Sequence, residues 1–313
     1  MTRIRIATLA AYACMTAVVA PELAQAQLFT LTKDEMIALT AQNPFDRFPD
    51  GRPKVPDAIL ARAKEISSEE VWAVVGNGAA PGNAYKNQYA DGFDVLHPGK
   101  TMVGRAFTVQ FMPARPDLDK FNSDKGVKNG LPARMNNQVA IDMLQPGDVL
   151  VVDLFGKVDG GTMVGDNLFY YVMKTTKSAG MVIDGAIRDL DGDSEMDMPA
   201  YFRKTHPSAI ANVTLTGINI PIRIGNVTVM PGDMVVGDRE GVHFVPPALA
   251  QAVVDNADTL HIHDEWTRMK FDTGKYKSSE IYGSPRDPAL LQEYRDYLKK
   301  RLDEIHAKQA QQK

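Results

Sequence analysis

Two apolar runs, each entered through a Pro-Gly-Asp turn, constrain this chain of 313 residues more than any other feature. Gln145-Pro146-Gly147-Asp148 leads into Val149-Leu150-Val151-Val152-Asp153-Leu154, and Met230-Pro231-Gly232-Asp233 leads into Met234-Val235-Val236-Gly237. A short continuous apolar run bounded by turn residues suits a fully buried strand. Strand and helix patterns alternate through the middle of the chain, which predicts an α/β fold. The two turns lie about 85 residues apart. Internal duplication and independent use of one favourable turn chemistry both account for the repeat.

Around these strands the chain reads as four parts. Residues 1–26 have the form of a signal peptide: Arg3 and Arg5, the apolar stretch Ile6–Ala20, the break at Pro21 and the small-x-small pattern Ala24-Gln25-Ala26. Residues 27–54 form an N-terminal lead, with a short helix at Thr32–Leu39 and a surface loop from Asn43 to Pro56. Residues 55–269 form the main domain and 270–313 a C-terminal helical extension. Within the main domain we expect a helix over Pro56–Ile66 and a strand at Val71–Val75 running into a flexible Gly76–Asn83 loop. A strand follows at Met102–Met112 and a long loop, in the manner of a flap, at 113–132. Further on come a helix at Leu168–Thr176, a strand at Met181–Ile183, a strand at Val242–Val245 and a helix from Pro246 towards Trp266. From Asp287 the pattern is again helical.

Cleavage after Ala26 would start the chain at Gln27 and remove Cys14, the one cysteine. The expected location is periplasmic or secreted, with no disulfide, no thiol chemistry and no stable membrane insertion once the signal is cut. The formal net charge of −4, from 35 basic and 39 acidic residues, gives bulk electrostatics no pull on nucleic acid, and none is expected as a partner.

The segment richest in chemistry is 160–200. Gly165-Asp166-Asn167-Leu168 opens a helix, where free amides bind carboxylates or phosphates. Arg188 offers a planar fork suited to a carboxylate. Asp189 offers hard oxygen to Mg²⁺, which takes few protein ligands and keeps several waters. Together they suit a 2-oxo acid; an Arg-Asp pair that only holds a turn is the plain alternative. Asp191, Asp193, Glu195 and Asp197 follow, but Ser194 and Ala200 stand where a calcium loop needs Gly and Glu, so a solvated acidic loop is expected. His261 and His263 lack the i, i+4 spacing of a zinc helix and read as a solvated helix end. His97, His206 and His243 read as structural. Lys174 and Lys177 raise a Schiff-base route, which needs a desolvated lysine.

Residues 101–112, 145–154, 160–189 and 219–250 resemble the family of 4-hydroxy-4-methyl-2-oxoglutarate aldolases and proteins like the regulator of ribonuclease activity A (RraA). The resemblance is carried by Val103-Gly104-Arg105-Ala106-Phe107-Thr108-Val109, by Gly165-Asp166-Asn167-Leu168 and by Asp184-Gly185-Ala186-Ile187-Arg188-Asp189. Pro231-Gly232-Asp233 through Asp238-Arg239-Glu240-Gly241-Val242 adds to it. It implies a single β/β/α swivelling-type domain assembled as a homotrimer or dimer of trimers. It also implies a divalent cation, Mg²⁺ or Mn²⁺, on Asp189, and a 2-oxo acid contacted by Arg188 and the Gly165–Leu168 segment. Asp166 would position a water near the reacting carbon. The implied activity is a class II lyase reaction releasing pyruvate, by aldol cleavage or by oxaloacetate decarboxylation. A non-catalytic keto-acid-binding or regulatory protein on the same scaffold is the alternative.

Overall fold

The computed structural model describes residues 30–76, 85, 88–128, 130 and 137–311. The signal-peptide reading falls outside these residues, as does most of the Gly76–Asn83 loop. The first elements are α1 (Lys33–Leu39), α2 (Asp57–Ala63), α3 (Ser68–Val75), β1 (Tyr89–Ala90), β2 (Asp94–Leu96), β3 (Met102–Pro113), α4 (Pro116–Lys128), α5 (Asn137–Ile141), β4 (Asp148–Asp153) and α6 (Asp166–Thr176). Then follow β5 (Met181–Ile187), α7 (Leu190–Ser194), β6 (Ala200–Thr205), β7 (Val213–Ile218), β8 (Ile222–Ile224), β9 (Val227–Val229), β10 (Met234–Gly237), β11 (Val242–Val245), α8 (Pro247–Asp272), α9 (Ser278–Ile281) and α10 (Pro288–Gln311). Among the described residues no helix is long and apolar enough to cross a membrane.

The fold is mixed α/β. The main sheet has the order β1-β11-β10-β3-β4-β5-β6-β2, with β7 also on β3. Its centre, β3 to β6, is parallel, and the flanking pairs are antiparallel. β4 pairs with β3 from Arg105 to Gln110, so β10 (from Met102) and β7 (to Pro113) must share the opposite edge of this long strand.

As the apolar runs predict, β4 and β5 are buried at every position. Leu150, Val152 and Ile183 meet Phe169 and Val172 of α6 on one face. On the other face Val149, Val151 and Val182 cluster with Ile222, Ile224, Val235 and Phe244. Strands that are not neighbours in the sheet therefore share one core, which requires the sheet to curl over itself. The outer face of β10 and β11 is covered by α2, α3 and α8 through Ile59, Val71, Val74 and Val253.

Three expectations need correction. Val71–Val75 is helical, not a strand. Ser67 accepts the Glu70 N–H while the Glu70 carboxylate takes the Ser67 N–H at 2.8 Å, and this capping box starts α3 despite the β-branched residues. The 113–132 segment is not mainly loop, because α4 occupies Pro116–Lys128; its buried Asn122 donates to Leu215 O at 3.0 Å. The histidine pair lies inside α8, not at a helix end: His261 Nε2 is 2.6 Å from Glu70 Oε1, and His263 packs edge-on against Tyr294. The strand expected at Met181–Ile183 also runs on to Ile187. At the C-terminus α8, α9 and α10 enclose a small core of Trp266, Ile281 and Leu290.

The two Pro-Gly-Asp turns are built alike. Asp148 Oδ2 accepts the Gln145 N–H at 2.9 Å, and Asp233 Oδ2 accepts the Met230 N–H at 2.8 Å. Gly147 and Gly232 sit at φ +82° and +86°, where a side chain would be strained. Both turns dock on β3, through Arg105 N–H to Gly147 O and Gly232 N–H to Ala106 O. They differ in one respect: Arg52, from the lead, makes a fully buried ion pair with Asp148 at 2.7 Å, and no described cation pairs with Asp233.

Candidate active site

β5 delivers Arg188 and Asp189 to its carboxyl end, and α6 starts beside them. Open α/β sheets bind ligands at this end of their parallel strands. Arg188 N–H bonds Val164 O at 3.3 Å, which ties the two segments together. Asp189 takes a left-handed backbone, φ +63°, uncommon outside glycine. That turn sends its carboxylate back across the start of α6. Asp189 Oδ2 lies 3.2 Å from Arg188 Nε and accepts the Asp166 N–H at 3.4 Å. The Asp166 carboxylate in turn accepts the Asn167 N–H at 2.7 Å.

The predicted residues thus converge. Gly165, Asp166, Arg188 and Asp189 meet at one point, Asn167 and Leu168 continue α6, and Asp166, Arg188 and Asp189 line an open cleft of about 480 Å³. Arg188 and Asp189 keep 38% and 44% of their side chains exposed, enough to reach a ligand. Gly165 serves a purpose beyond ligand approach. A Cβ there would collide with Asp189 Oδ2 and come within 2.9 Å of Arg188 Nε. The protein's own carboxylate needs that space.

Two residues at the site escaped sequence reasoning. Asp193, read as part of a solvated acidic loop, is completely buried on α7, and neither of its carboxylate oxygens has a hydrogen-bond partner. Burial, then the charges of Asp189 and Asp166, push its pKa up to about 7. His206, read as structural, lines the same cleft. Its Nδ1 accepts the Ser208 N–H at 3.2 Å, which leaves Nε2 as the nitrogen open to other contacts. The alternating acidic residues of 189–197 were the visible signal for Asp193; His206 had none.

An orphaned buried carboxyl beside two others is a donor set short of positive charge. Asp189, a half-exposed carboxylate, offers oxygen suited to a hard cation such as Mg²⁺ or Mn²⁺, and Asp166 and Asp193 add negative charge near it. Among the described residues no group of three or more acidic, imidazole or thiol side chains is placed to hold a metal ion. Mg²⁺ needs none, since one or two carboxylates and several waters hold it. Lys174 and Lys177 are exposed, outside the apolar setting that a Schiff-base lysine requires.

The sequence model of the RraA-like family, described as Aldolase/RraA, matches residues 78–243. The chain belongs to the RraA-like family. A relative in Halalkalibacterium halodurans, provisionally named a 4-hydroxy-4-methyl-2-oxoglutarate aldolase, is 35% identical over 120 residues, 38% of this chain and 56% of the relative. A similarly named protein of Ectopseudomonas mendocina is 32% identical over 112 residues, 35% of this chain and 67% of that protein. The chain thus spans little more than half the length of the first of these relatives. Among solved structures, RraAS2 of Streptomyces coelicolor, described as an unusual member of the RNase ES inhibitor RraA protein family, superposes with a TM-score of 0.58 at 29% identity. That match covers 69% of this chain and 100% of RraAS2. The match supports a mixed α/β RraA-like fold with its curled sheet and C-terminal helices.

Proposed function

We propose that this RraA-like protein is a lyase that releases pyruvate from a small 2-oxo acid, with 4-hydroxy-4-methyl-2-oxoglutarate and oxaloacetate as the substrate types. The observation that carries this reading is the meeting of Arg188, Asp189 and Asp166 on one open cleft, with the orphaned carboxyl of Asp193 buried behind them. Asp189, supported by Asp193, would hold the divalent cation. When bound, the cation supplies a Lewis acid for the keto oxygen.

The chain's own groups do the rest. The Arg188 fork takes the substrate carboxylate and stays close to the oxygen on which negative charge develops, which is worth ~3–4 kcal/mol for one well-placed contact. The Gly165–Leu168 segment fixes the pyruvyl part. In aldol cleavage the C3–C4 bond breaks, its electron pair remains on the pyruvyl fragment as an enolate, and the 4-hydroxyl passes its proton to a water held at Asp166. A water positioned by Asp166 and Arg188 returns a proton to C3. The reading also carries over the family's trimer or dimer of trimers and, from the leader, a place outside the cytoplasm.

The test is pyruvate release from both substrates, with Mg²⁺ or Mn²⁺ and with EDTA. Turnover that EDTA abolishes, and that Asp189→Ala and Arg188→Lys lower at least a hundredfold, is the expected result. No turnover under any of these conditions, with thermal stabilisation by oxalate retained, would favour a keto-acid binder over an enzyme.

A further inference from the structure

We infer that the cleft floored by Asp233 is a second ligand site, which takes a small organic cation: a guanidinium or primary ammonium on a short aliphatic stem. It is separate from the Arg188–Asp189 cleft, with which it shares no lining residue.

The first argument is internal comparison. The carboxylates of the two Pro-Gly-Asp turns are held the same way, by the N–H three residues earlier. At the first turn the remaining valence of Asp148 is met by a guanidinium, with Arg52 Nη1 at 2.7 Å and Nη2 at 3.2 Å. At the second turn no described residue supplies that counter-charge, although Asp233 is only 2% exposed. In its place is a cleft of about 560 Å³, a size suited to a small molecule.

The second argument is the make-up of the wall. Among the described residues no Lys, Arg or His lines the cleft. Gln42, Gln88 and Thr228 offer neutral polar groups, and Leu39 and Ala248 offer apolar surface for a stem. Three charged side chains on neighbouring elements are engaged elsewhere. Arg52 is on Asp148, Arg105 on β3 pairs with Asp57 and donates to Val55 O, and Glu35 caps α1. Among the described residues Tyr85 is the other titratable group on the wall.

The start of α8 also borders the cleft, and a helix start ordinarily favours an anion. It offers an anion few donors: Pro246 and Pro247 have no N–H, and the Leu249 N–H is bonded to Pro246 O at 2.8 Å. The buried Asp233 carboxylate repels an anion in any case, so the cleft favours a cation.

Burial pushes the Asp233 carboxyl up to about 7. A cation selects its ionised form, so binding releases a proton. The ionised fraction climbs from about a tenth at pH 6 to about nine tenths at pH 8, and apparent affinity rises with it, about tenfold over that interval.

Calorimetry on the full chain with butylguanidinium, butylammonium and the neutral isostere butylurea tests this. Binding by the two cations and not by butylurea is expected, about tenfold tighter at pH 8 than at pH 6. Acetyl-Gly-Arg-Gly-amide forms a second arm. Binding of the small cations points to a free compound, and binding of the peptide alone points to an arginine presented by another chain. Asp233→Asn keeps an oxygen for the Met230 N–H and should weaken binding at least tenfold at pH 8 while removing the pH dependence. Ala248→Phe, at an exposed position, fills the cleft and should block binding with the fold intact. No heat with any cation, equal binding of butylurea, or unchanged affinity in both variants overturns the assignment.

Discussion

At the scale of single residues, the candidate active site depends on a glycine and an aspartate acting as a pair. Asp189 adopts a left-handed backbone, and its carboxylate lies over the start of α6. Gly165 has an ordinary extended conformation, so its importance is spatial rather than conformational. Gly165→Ala should therefore leave stability within ~1 kcal/mol, because its neighbours at the site are partly exposed. It should still displace Asp189 and lower affinity for the proposed Mg²⁺ at least tenfold. Titration calorimetry beside thermal unfolding separates the two effects; unchanged cation binding would show that Asp189 can move aside at no cost. Arg188, Asp189 and Asp166 were legible because their residue types advertise carboxylate and cation chemistry. Asp193 was misread because alternation along a sequence does not report burial, and α7 turns this one acid inward.

At the scale of elements, local signals competed and the stronger one won. Val71 to Val75 has the composition of a strand, but Ser67 and Glu70 close a capping box in front of it, and α3 is the outcome. The signal was in the sequence and was outweighed there by β-branched content. The lead is the converse case: Arg52 looked like a loop residue and is one of the most deeply buried side chains, paired with Asp148 and stacked 4.4 Å from the Phe48 ring. Arg52→Met would leave Asp148 buried and unpaired and should cost ~3–5 kcal/mol. Arg52→Met with Asp148→Asn should recover part of that loss. Denaturant unfolding of the single and double variants measures the difference, and equal stabilities would mean that the pair contributes nothing. An exposed pair such as Lys120–Asp124, four apart on α4, should change stability by less than ~0.5 kcal/mol when broken.

At the scale of the whole molecule, the C-terminal helices form a core of their own around Trp266, which is fully buried and has Lys270 5.5 Å above its ring. Trp266→Ala should cost ~3–5 kcal/mol, yet leave cation binding at Asp189 unchanged, since the two regions share no lining residue of the active-site cleft. A loss of cation affinity in the folded variant would show that the arm braces the site. The sequence alone determined the α/β class, the buried strands at the centre of the sheet, the helices that follow them, and the residue types at the candidate site. Continuous apolar runs, turn residues and charged pairs are local patterns, and local physics reads them. Only the tertiary structure decided that the sheet curls so that β10 and β11 pack over β4 and β5. It alone decided that Arg52 neutralises one Pro-Gly-Asp turn and not the other, and that Asp193 is buried against Asp166 and Asp189. Each of those depends on segments far apart in the chain meeting in a desolvated interior, where the energy of a charge is set by its neighbours in space.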